Sequence, residues 1–258
     1  MEKYINLKNF RSLMSLPVFK EDIERIWGKQ YLKKILKQYP NRIPNKNENL
    51  IVKEKIQRAQ ENISSLLALN LVKFIGVTGS VAAGFAKEED DIDVFVVVRD
   101  GSMWLYRGLV ALRNIFQNKV RAKRHRDVRD KLCLNLVCEE RDLGFQNDIF
   151  NFHELMYMKP IYNEKYVNYI FSQNKWLVEE YGIRKELQET EIQSEGSVNL
   201  LLRIFNSIFY YLQLFFMIIR RHNPELERLR KNSKKGRIEF FPNDFKEEKV
   251  KHFMAKFE

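Results

Sequence analysis

The sequence predicts an α+β fold, in which a small mixed β-sheet carries N-terminal and C-terminal helical additions. Segments rich in β-branched and aromatic residues are confined to the middle of the chain, at residues 71–78, 92–99 and 131–138. Helical periodicity dominates on both sides of them. The chain has 258 residues, of which 45% are hydrophobic, and this is enough to build a core around that sheet.

The N-terminal part predicts two helices joined by a loop. Apolar residues recur at helical spacing over residues 18–39, between Pro17 and Pro40, which predicts an amphipathic helix. Residues 40–49 are rich in Pro and Asn and predict a loop. A second helix is expected over residues 50–70.

The central part predicts strands around one helix. Residues 92–99, IDVFVVVR, are almost continuously apolar, which is typical of a central strand covered on both faces. A turn at residues 100–101 precedes an expected helix over residues 103–117. In the strand at 131–138 three leucines alternate, and this predicts that they share one face: Leu132, Leu134 and Leu136.

From residue 148 onward the chain is expected to be helical. Pro and Gly residues separate the predicted helices, which cover residues 150–158, 163–181, 197–222 and 243–257. The expected organisation is an N-terminal helical segment, a sheet-bearing core and a C-terminal helical region, at residues 1–70, 71–145 and 146–258.

Residues 204–219, IFNSIFYYLQLFFMII, carry no charge. Sixteen residues fall short of the ~20 that a helix needs to cross a bilayer, and Asn206, Ser207 and Gln213 interrupt the apolar run. The segment predicts a long helix that is buried or faces a partner, and we expect no membrane span.

The positive charge is concentrated in two clusters. The chain has 45 Lys and Arg against 34 Asp and Glu, a net charge of +11. Residues 119–131 contain seven Lys/Arg and two Asp, and residues 220–237 contain eight Lys/Arg and two Glu, so the two clusters account for the whole excess. Each cluster could be a solvated surface, or it could contact nucleotide phosphates or nucleic acid, because clustered charge attracts polyanions.

The cysteine content indicates an intracellular protein. Two cysteines exclude a disulfide-rich scaffold. In a regular strand, Cys133 and Cys138 would lie too far apart to form a bridge and would face opposite sides. The segment MEKYINLKNFRS contains no apolar run, so we expect no signal peptide and a cytoplasmic location.

The most specific pattern is Gly79-Ser80, then ten residues, then Asp91-Ile92-Asp93. Gly79 would end a strand where the backbone turns tightly and comes close to a ligand. Ser80 would begin a short helix whose free N–H groups can hold a phosphate. Asp91 and Asp93 are two residues apart, so both carboxylates leave the same face of a strand. Such a pair is costly without a cation, and its oxygen ligands suit Mg²⁺.

The run VTGS at residues 77–80, followed by DID at 91–93, resembles the signature of the DNA polymerase β-like nucleotidyltransferase superfamily. The resemblance covers about residues 71–145 and implies a palm-like mixed sheet with helices on one face. It also implies Mg²⁺ or Mn²⁺ and a nucleoside triphosphate, with ATP as one candidate. The expected reaction transfers a nucleoside monophosphate to a hydroxyl or related acceptor and releases pyrophosphate. By position, the triphosphate would be held by Gly79 and Ser80, and the metals by Asp91 and Asp93.

This sequence departs from the family at the third carboxylate, which usually lies on a later strand and often acts as general base. The matching strand has Asn135 there, which can ligate Mg²⁺ through its carbonyl but cannot take a proton. Asp130 and Glu139 flank the strand and are the alternative carboxylates. Arg107, on the helix after the aspartate strand, could reach the triphosphate or could extend its charge to solvent.

Three functions remain open from the sequence. The first is a nucleotidyltransferase whose acceptor is a small molecule, a protein side chain or an RNA end. The second is an inactive nucleotidyltransferase-like module that binds RNA or a protein partner through the basic clusters. The third is an interaction protein built on the aromatic helix at residues 197–222.

Overall fold

A mixed five-stranded β-sheet lies at the centre of the computed structural model, which describes residues 1–40, 42–46, 49–121, 127–219, 223–239 and 245–257. The strands are β1 (Val72–Val77), β2 (Ile92–Val98), β3 (Leu132–Glu139), β4 (Lys159–Tyr162) and β5 (Arg237–Glu239). Their order is β4-β1-β2-β3-β5. β2 and β3 are parallel, and the other neighbours are antiparallel.

Helices precede, interrupt and follow the sheet, and this confirms the predicted α+β class with its terminal helical additions. The helices are α1 (Glu2–Ser12), α2 (Lys20–Trp27), α3 (Lys29–Gln38), α4 (Leu50–Glu61), α5 (Gly79–Ala83), α6 (Met103–Gln117), α7 (Ile149–Tyr157), α8 (Tyr166–Ser172), α9 (Trp176–Glu179), α10 (Leu200–Ile219), α11 (Asn223–Lys235) and α12 (Phe245–Phe257).

Helices cover both faces of the sheet because β2 is apolar on both sides. Phe95 and Val97 of β2 pack into a first core with α1, α2, α7 and α8. Val94 and Val96 pack into a second core with α4, α6 and α10. The two-sided cover expected for β2 is confirmed, whereas the expectation of helices on one face alone was wrong.

The predicted helix at residues 18–39 is two helices, α2 and α3, which meet at Gly28. Gly28 has φ +89°, in the left-handed region that only glycine adopts without strain. The periodic apolar residues on both sides predicted the helical state correctly, but the break at this glycine was missed.

A β-bulge at Asn135 changes which side chains of β3 share a face. Val94 is opposite Leu134, but the next pair is Phe95 and Leu136, so Asn135 is an extra residue in β3. Leu136 therefore packs in the first core with Phe95. The prediction that Leu136 shares a face with Leu132 and Leu134 was wrong, because strict alternation holds only without a bulge.

The sequence predicted that the region after residue 148 is entirely helical, and this prediction was wrong. Two short strands, β4 and β5, add one strand to each edge of the sheet, and the expected helix at 163–181 is the pair α8 and α9. Strands of three or four residues are too short for a period of two to be recognised. The division of the chain at residues 70 and 145 stays a prediction, and the first core contains residues from all three segments.

Candidate active site

The Gly-Ser turn lies where β1 ends beside the start of β2. Gly79 is the first residue of α5 and has φ +62°. A Cβ at this position would overlap the carboxylate of Asp93. Glycine is therefore needed for the turn to lie directly against Asp93.

Three possible metal ligands meet at the start of two parallel strands. One ligand atom each from Asp91, Asp93 and Cys133 lie within 4.8 Å of one another. Asp93 is opposite Cys133 in the β2–β3 register, so the two side chains leave the same face of the sheet. Cys133 was missed from the sequence because a strand cysteine is usually a small core residue.

Asn135 joins this group through the β3 bulge. Its Nδ2 donates to Oδ1 of Asp93, and its Oδ1 accepts from the Cys133 thiol at 3.1 Å. The structure therefore brings Asn135 to the aspartates, as a hydrogen-bonding neighbour of Asp93.

A further carboxylate that could not be anticipated from the sequence, Glu154 of α7, lies beside this group. Its Oε2 accepts from the backbone N–H of Gly79 at 3.3 Å, and its charge acts on Asp93. We refer to Asp91, Asp93 and Glu154 as the carboxylate cluster. Glu154 lies 75 residues from Gly79 on a helix, where no spacing rule connects it to the aspartate pair.

A buried chain of polar groups holds Glu154 in place. Arg11 of α1 is fully buried and lies 3.0 Å from Nε2 of His153. Because a guanidinium can only donate, Nε2 of His153 accepts and Nδ1 carries the proton. Nδ1 then faces Oε1 of Glu154 at 3.4 Å. Burial lowers the pKa of His153, consistent with this neutral form.

The carboxylate cluster shifts the titration of its own members. Burial first, and then the charges of Asp91 and Glu154, raise the pKa of Asp93 from 3.8 to about 7. Burial and the two aspartates also raise the pKa of the Cys133 thiol. A bound cation would reverse both effects, because it favours the ionised forms.

The basic cluster at 119–131 reaches this site through Arg121. Its NH1 lies 2.6 Å from Oδ2 of Asp91, and this hydrogen bond is the main reason why the pKa of Arg121 is raised. Residues 122–126 of the cluster lie outside the described residues. Arg121 is about half exposed, so its side chain has room to move to another anion.

The alternative carboxylates proposed from the sequence, Asp130 and Glu139, are engaged elsewhere. Asp130 pairs with Lys55 at 2.9 Å and with Arg58, both on α4. Glu139, at the far end of β3, accepts from the backbone N–H of Met103 at 3.3 Å. Glu154 is the carboxylate that contacts the Gly79 turn beside Asp93, and a role of Asp130 or Glu139 as the third carboxylate stays a prediction.

Ser80 and Arg107 lie at the periphery of the site. Ser80 Oγ donates to Oδ2 of Asp90 at 3.1 Å. Arg107 of α6 is partly buried, and burial lowers its pKa to about 10. Of the site residues, Cys133 is the one with which it interacts electrostatically. Their roles as triphosphate ligands stay predictions.

A cavity of about 310 Å³ adjoins the carboxylate cluster. Glu154 and Thr78 line one end of it, and Phe95 and Leu136 continue its floor along β2 and β3. The C-terminal region closes it with basic side chains, those of Lys235, Arg237 and Lys246. The cavity thus lies between the carboxylates and part of the second basic cluster.

The ligand atoms fit a divalent cation. Two carboxylates supply oxygen ligands of the kind that Mg²⁺ and Mn²⁺ prefer, and the Cys133 sulfur adds a softer ligand. Burial and then the charges of Asp91 and Glu154 raise the pKa of Asp93, and a cation at this position would favour its ionised form.

The mixed sheet, the glycine turn and the grouped aspartates define the class of protein as an α+β domain consistent with a small nucleotidyltransferase domain. A family model described as a nucleotidyltransferase domain matches residues 56–195, which is more than half of the 258 residues. The chain belongs to this family, and the resemblance to the polymerase β-like superfamily is confirmed. The match is wider than residues 71–145 and includes Glu154. Searches of curated proteins and of solved structures gave no match.

Proposed function

We propose that the protein is a nucleotidyltransferase that uses a divalent cation, Mg²⁺ or Mn²⁺, to transfer a nucleoside monophosphate from a nucleoside triphosphate to an acceptor hydroxyl. The observation that carries the proposal is that ligand atoms of Asp91, Asp93 and Cys133 lie together beside the Gly79 turn, whose backbone N–H is bound by Glu154. Family membership supports nucleotidyl transfer in general. The cation, the nucleotide and the acceptor are the proposed part.

Asp91, Asp93 and Cys133 would hold the cation, because their ligand atoms already lie together. Such a cation stabilises charge on the transferred phosphoryl group and on the leaving pyrophosphate. Arg121 would then release Asp91 and bind the triphosphate, because a guanidinium can donate two hydrogen bonds to a phosphate group. This gives the 119–131 cluster a role at the substrate rather than in general nucleic-acid binding.

Glu154 would act as the general base. The acceptor oxygen attacks the α-phosphorus, the bond to the bridging oxygen of pyrophosphate breaks, and the acceptor proton moves to Glu154. Neutral His153, held by Arg11, fixes the position of Glu154 through its Nδ1–H. Asn135 would orient Asp93 by donating to its Oδ1.

The cavity beside Glu154 would receive the acceptor. Its 310 Å³ are at the lower end of the range for small-molecule sites, about 300–1,000 Å³. Its small volume, with the apolar Phe95 and Leu136 among the lining residues, favours a small molecule or a single side chain as the acceptor. An RNA end would be favoured instead if the basic clusters contact nucleic acid.

A second candidate is a binding module without activity. It is favoured by Asn135, which stands where the family usually has a carboxylate, and by Arg121, which pairs with Asp91. The module would bind RNA or a protein partner through residues 119–131 and 220–237. Its binding to RNA should weaken steeply with salt, as counterion release requires.

Nucleotide turnover tests the proposal. The full chain is incubated with α-labelled nucleoside triphosphates, Mg²⁺ or Mn²⁺ and a cell extract, and pyrophosphate release and labelled products are measured. We expect Asp91→Asn and Asp93→Asn to abolish transfer, whereas Asp127→Asn, in an exposed loop, should be fully active. Metal-dependent triphosphate binding without any transfer would support the binding module instead.

The thiol of Cys133 allows the proposed metal site to be tested by absorption spectroscopy, independently of activity. With Cd²⁺, the wild-type protein should show thiolate-to-metal absorption that Cys133→Ser lacks, because cadmium favours a soft ligand. Cys138→Ser is the matched control, since Cys138 is buried beyond the bulge on β3. Absorption that persists in Cys133→Ser would place the cation away from the aspartate pair.

A further inference from the structure

The outward face of α10 is apolar along its whole length. This helix of 20 residues exposes only Arg203 and Ser207 as polar side chains besides the hydroxyl of Tyr211. A surface helix of a soluble domain normally carries charges on that face. The exposed large apolar residues of α10 range from 44% to 73% exposure: Leu200, Leu201, Ile204, Phe205, Ile208, Tyr211, Leu212, Phe215, Phe216, Ile218 and Ile219. The prediction of a buried helix was wrong, and the partner-facing alternative remains.

The exposed area is too large to be an incidental patch. Four aromatic residues, Phe205, Tyr211, Phe215 and Phe216, are roughly half exposed, and aromatic side chains present about 150–250 Å² each. They alone supply about 300–500 Å², which is as much as the largest patch of a typical monomer. Seven aliphatic side chains add to this area.

The inward face of α10 attaches it firmly to the transferase domain. Asn206 Oδ1 accepts from the backbone N–H groups of Trp104 at 2.7 Å and Leu105 at 3.0 Å, and so caps α6. The ring of Phe209 packs on Gly108, where a Cβ would overlap it. These contacts align α10 parallel to α6.

The apolar surface continues onto the end of α6. Leu112, Ile115 and Phe116 are 52%, 72% and 89% exposed. The contacts advance in the same direction along both helices, from Asn206 at Trp104 to Phe209 at Gly108, which places the end of α6 toward the end of α10. The two helices form one apolar platform, which we define as the outward residues of α10 together with these three of α6.

The platform does not span a membrane, although α10 is long and apolar enough to do so by length and composition. Ser197, before the helix, forms a β-bridge with Asp100. After the helix, β5 pairs with β3, with Ile238 opposite Val137. A single crossing would place these two anchors on opposite sides of a bilayer, but both belong to the same sheet region.

Positive charge lies at the C-terminal end of the platform. In the sequence, Arg220 and Arg221 directly follow α10. α11 comes next, packs against the second core through Leu229, and exposes four basic residues: Arg230, Lys231, Lys234 and Lys235. An apolar surface beside a basic cluster matches a bilayer of anionic lipids, whose apolar interior and charged surface lie within a few ångströms of each other.

We propose that α10 and the end of α6 lie flat on an anionic lipid bilayer, with the exposed basic residues of α11 at the headgroups. The inference does not depend on the proposed transferase activity. It favours lipid over a protein partner because specific protein interfaces carry a polar rim and about one hydrogen bond per 100–200 Å², whereas this face offers almost no polar side chains. It also gives the second basic cluster a partner.

Vesicle binding of the full chain tests the proposal. We expect the protein to sediment with vesicles of phosphatidylcholine and phosphatidylglycerol, and to sediment at least about tenfold less with phosphatidylcholine alone or at high salt. The double variant Phe215→Asp/Phe216→Asp should lose binding by at least about tenfold, because two half-exposed rings would no longer enter the interface. Both positions are exposed, so circular dichroism should show an unchanged fold.

The matched control is Leu50→Asp, since Leu50 is 67% exposed on α4, away from the platform. It should bind vesicles like the wild type. The proposal is overturned if the wild-type protein does not bind anionic vesicles, or if Phe215→Asp/Phe216→Asp binds them as well as Leu50→Asp does. A dimer in sedimentation velocity that the double variant abolishes, with no vesicle binding, would assign the platform to a second copy. Resistance to alkaline carbonate extraction would overturn the flat orientation in favour of a span.

Discussion

At the scale of single residues, Asp93 has the most unusual environment of the site. The Gly79 turn, Asn135 and the charges of Asp91 and Glu154 all act on its carboxylate. Burial and these charges disfavour ionisation, whereas a cation would favour it. In the protein without metal, the carboxyl group of Asp93 should therefore stay partly protonated near neutral pH.

This environment predicts a pH dependence of stability in the metal-free protein. The pKa of Asp93 is about 7 in the folded state against 3.8 ordinarily, so the unfolded chain loses this proton first as the pH rises. Stability is thus highest below the unfolded pKa and falls as the pH rises toward 7. Thermal unfolding in EDTA should show Tm falling over that window, and Asp93→Asn should flatten the slope. Asp127→Asn should keep the wild-type slope; equal slopes in all three proteins would contradict the assignment.

Replacing Glu154 should reduce catalysis without weakening the binding of metal and triphosphate. Glu154→Gln keeps the shape and can still accept from the N–H of Gly79, but it cannot take the acceptor proton. We expect transfer to fall by about 10²–10⁴-fold, with the Kd for metal and triphosphate changed little. Single-turnover kinetics and nucleotide binding measure the two effects. Glu164→Gln, on an exposed turn, is the control, and wild-type rates in Glu154→Gln would remove Glu154 as the base.

At the scale of elements, α4 fixes the loop that leads into the aspartate pair. Lys55 is 2% exposed, and its Nζ donates to the carbonyls of Glu88 at 3.0 Å and Asp90 at 2.7 Å and to Asp130 at 2.9 Å. Because one buried ammonium group binds three acceptors, the backbone of the residues just before Asp91 is held in place. The position of Asp91 thus depends on a helix outside the sheet.

Replacing this lysine should loosen the loop. Lys55→Met would leave three buried acceptors without their donor, and we expect a loss of about 3 kcal/mol in the free energy of unfolding. Metal affinity should fall as well, because Asp91 loses its fixed position. Urea unfolding and calorimetric titration with Mn²⁺ measure the two changes. Gln60→Met, at an exposed position of the same helix, is the control. An unchanged metal affinity in Lys55→Met would show that this loop does not control the site.

At the scale of the whole molecule, the N-terminal helices support the site from the first core. Arg11 of α1 contacts three separate parts of the chain: the carbonyl of Pro17 at 2.8 Å, that of Ala83 at 3.2 Å, and His153 at 3.0 Å. Its guanidinium also lies over the ring of Tyr157, 4.1 Å from its centre. α1, the end of α5 and α7 are thereby joined behind Glu154.

Loss of Arg11 should therefore affect stability and activity together. Arg11→Met would leave buried acceptors unpaired, and we expect a cost of about 3–5 kcal/mol in unfolding. Transfer should fall because His153 no longer holds Glu154. Urea unfolding and kinetics at a temperature where the variant is fully folded measure both. Lys8→Met, exposed on the same helix, should match the wild type; full activity in folded Arg11→Met would show that α1 is only structural.

Much of the fold and half of the site could be predicted from the sequence, because both depend on local patterns. The apolar run of β2 indicated a strand covered on both sides, and the spacing of Asp91 and Asp93 placed both carboxylates on one face. Gly79 was recognised because a tight turn needs φ > 0. Each of these inferences uses residues that lie within a few positions of one another.

The positions of Glu154 and Cys133 at the site, and the exposure of the apolar platform, were decided by the tertiary structure alone. Glu154 reaches Gly79 across 75 residues and Asn135 reaches Asp93 across 42, and contacts over such distances depend on how α7 and β3 pack, not on spacing. The bulge at Asn135 is an irregularity that no alternation predicts. The sequence by itself determined that α10 is an apolar helix, but only its packing on α6 determined which side chains face outward, because burial belongs to the assembled fold and not to the helix.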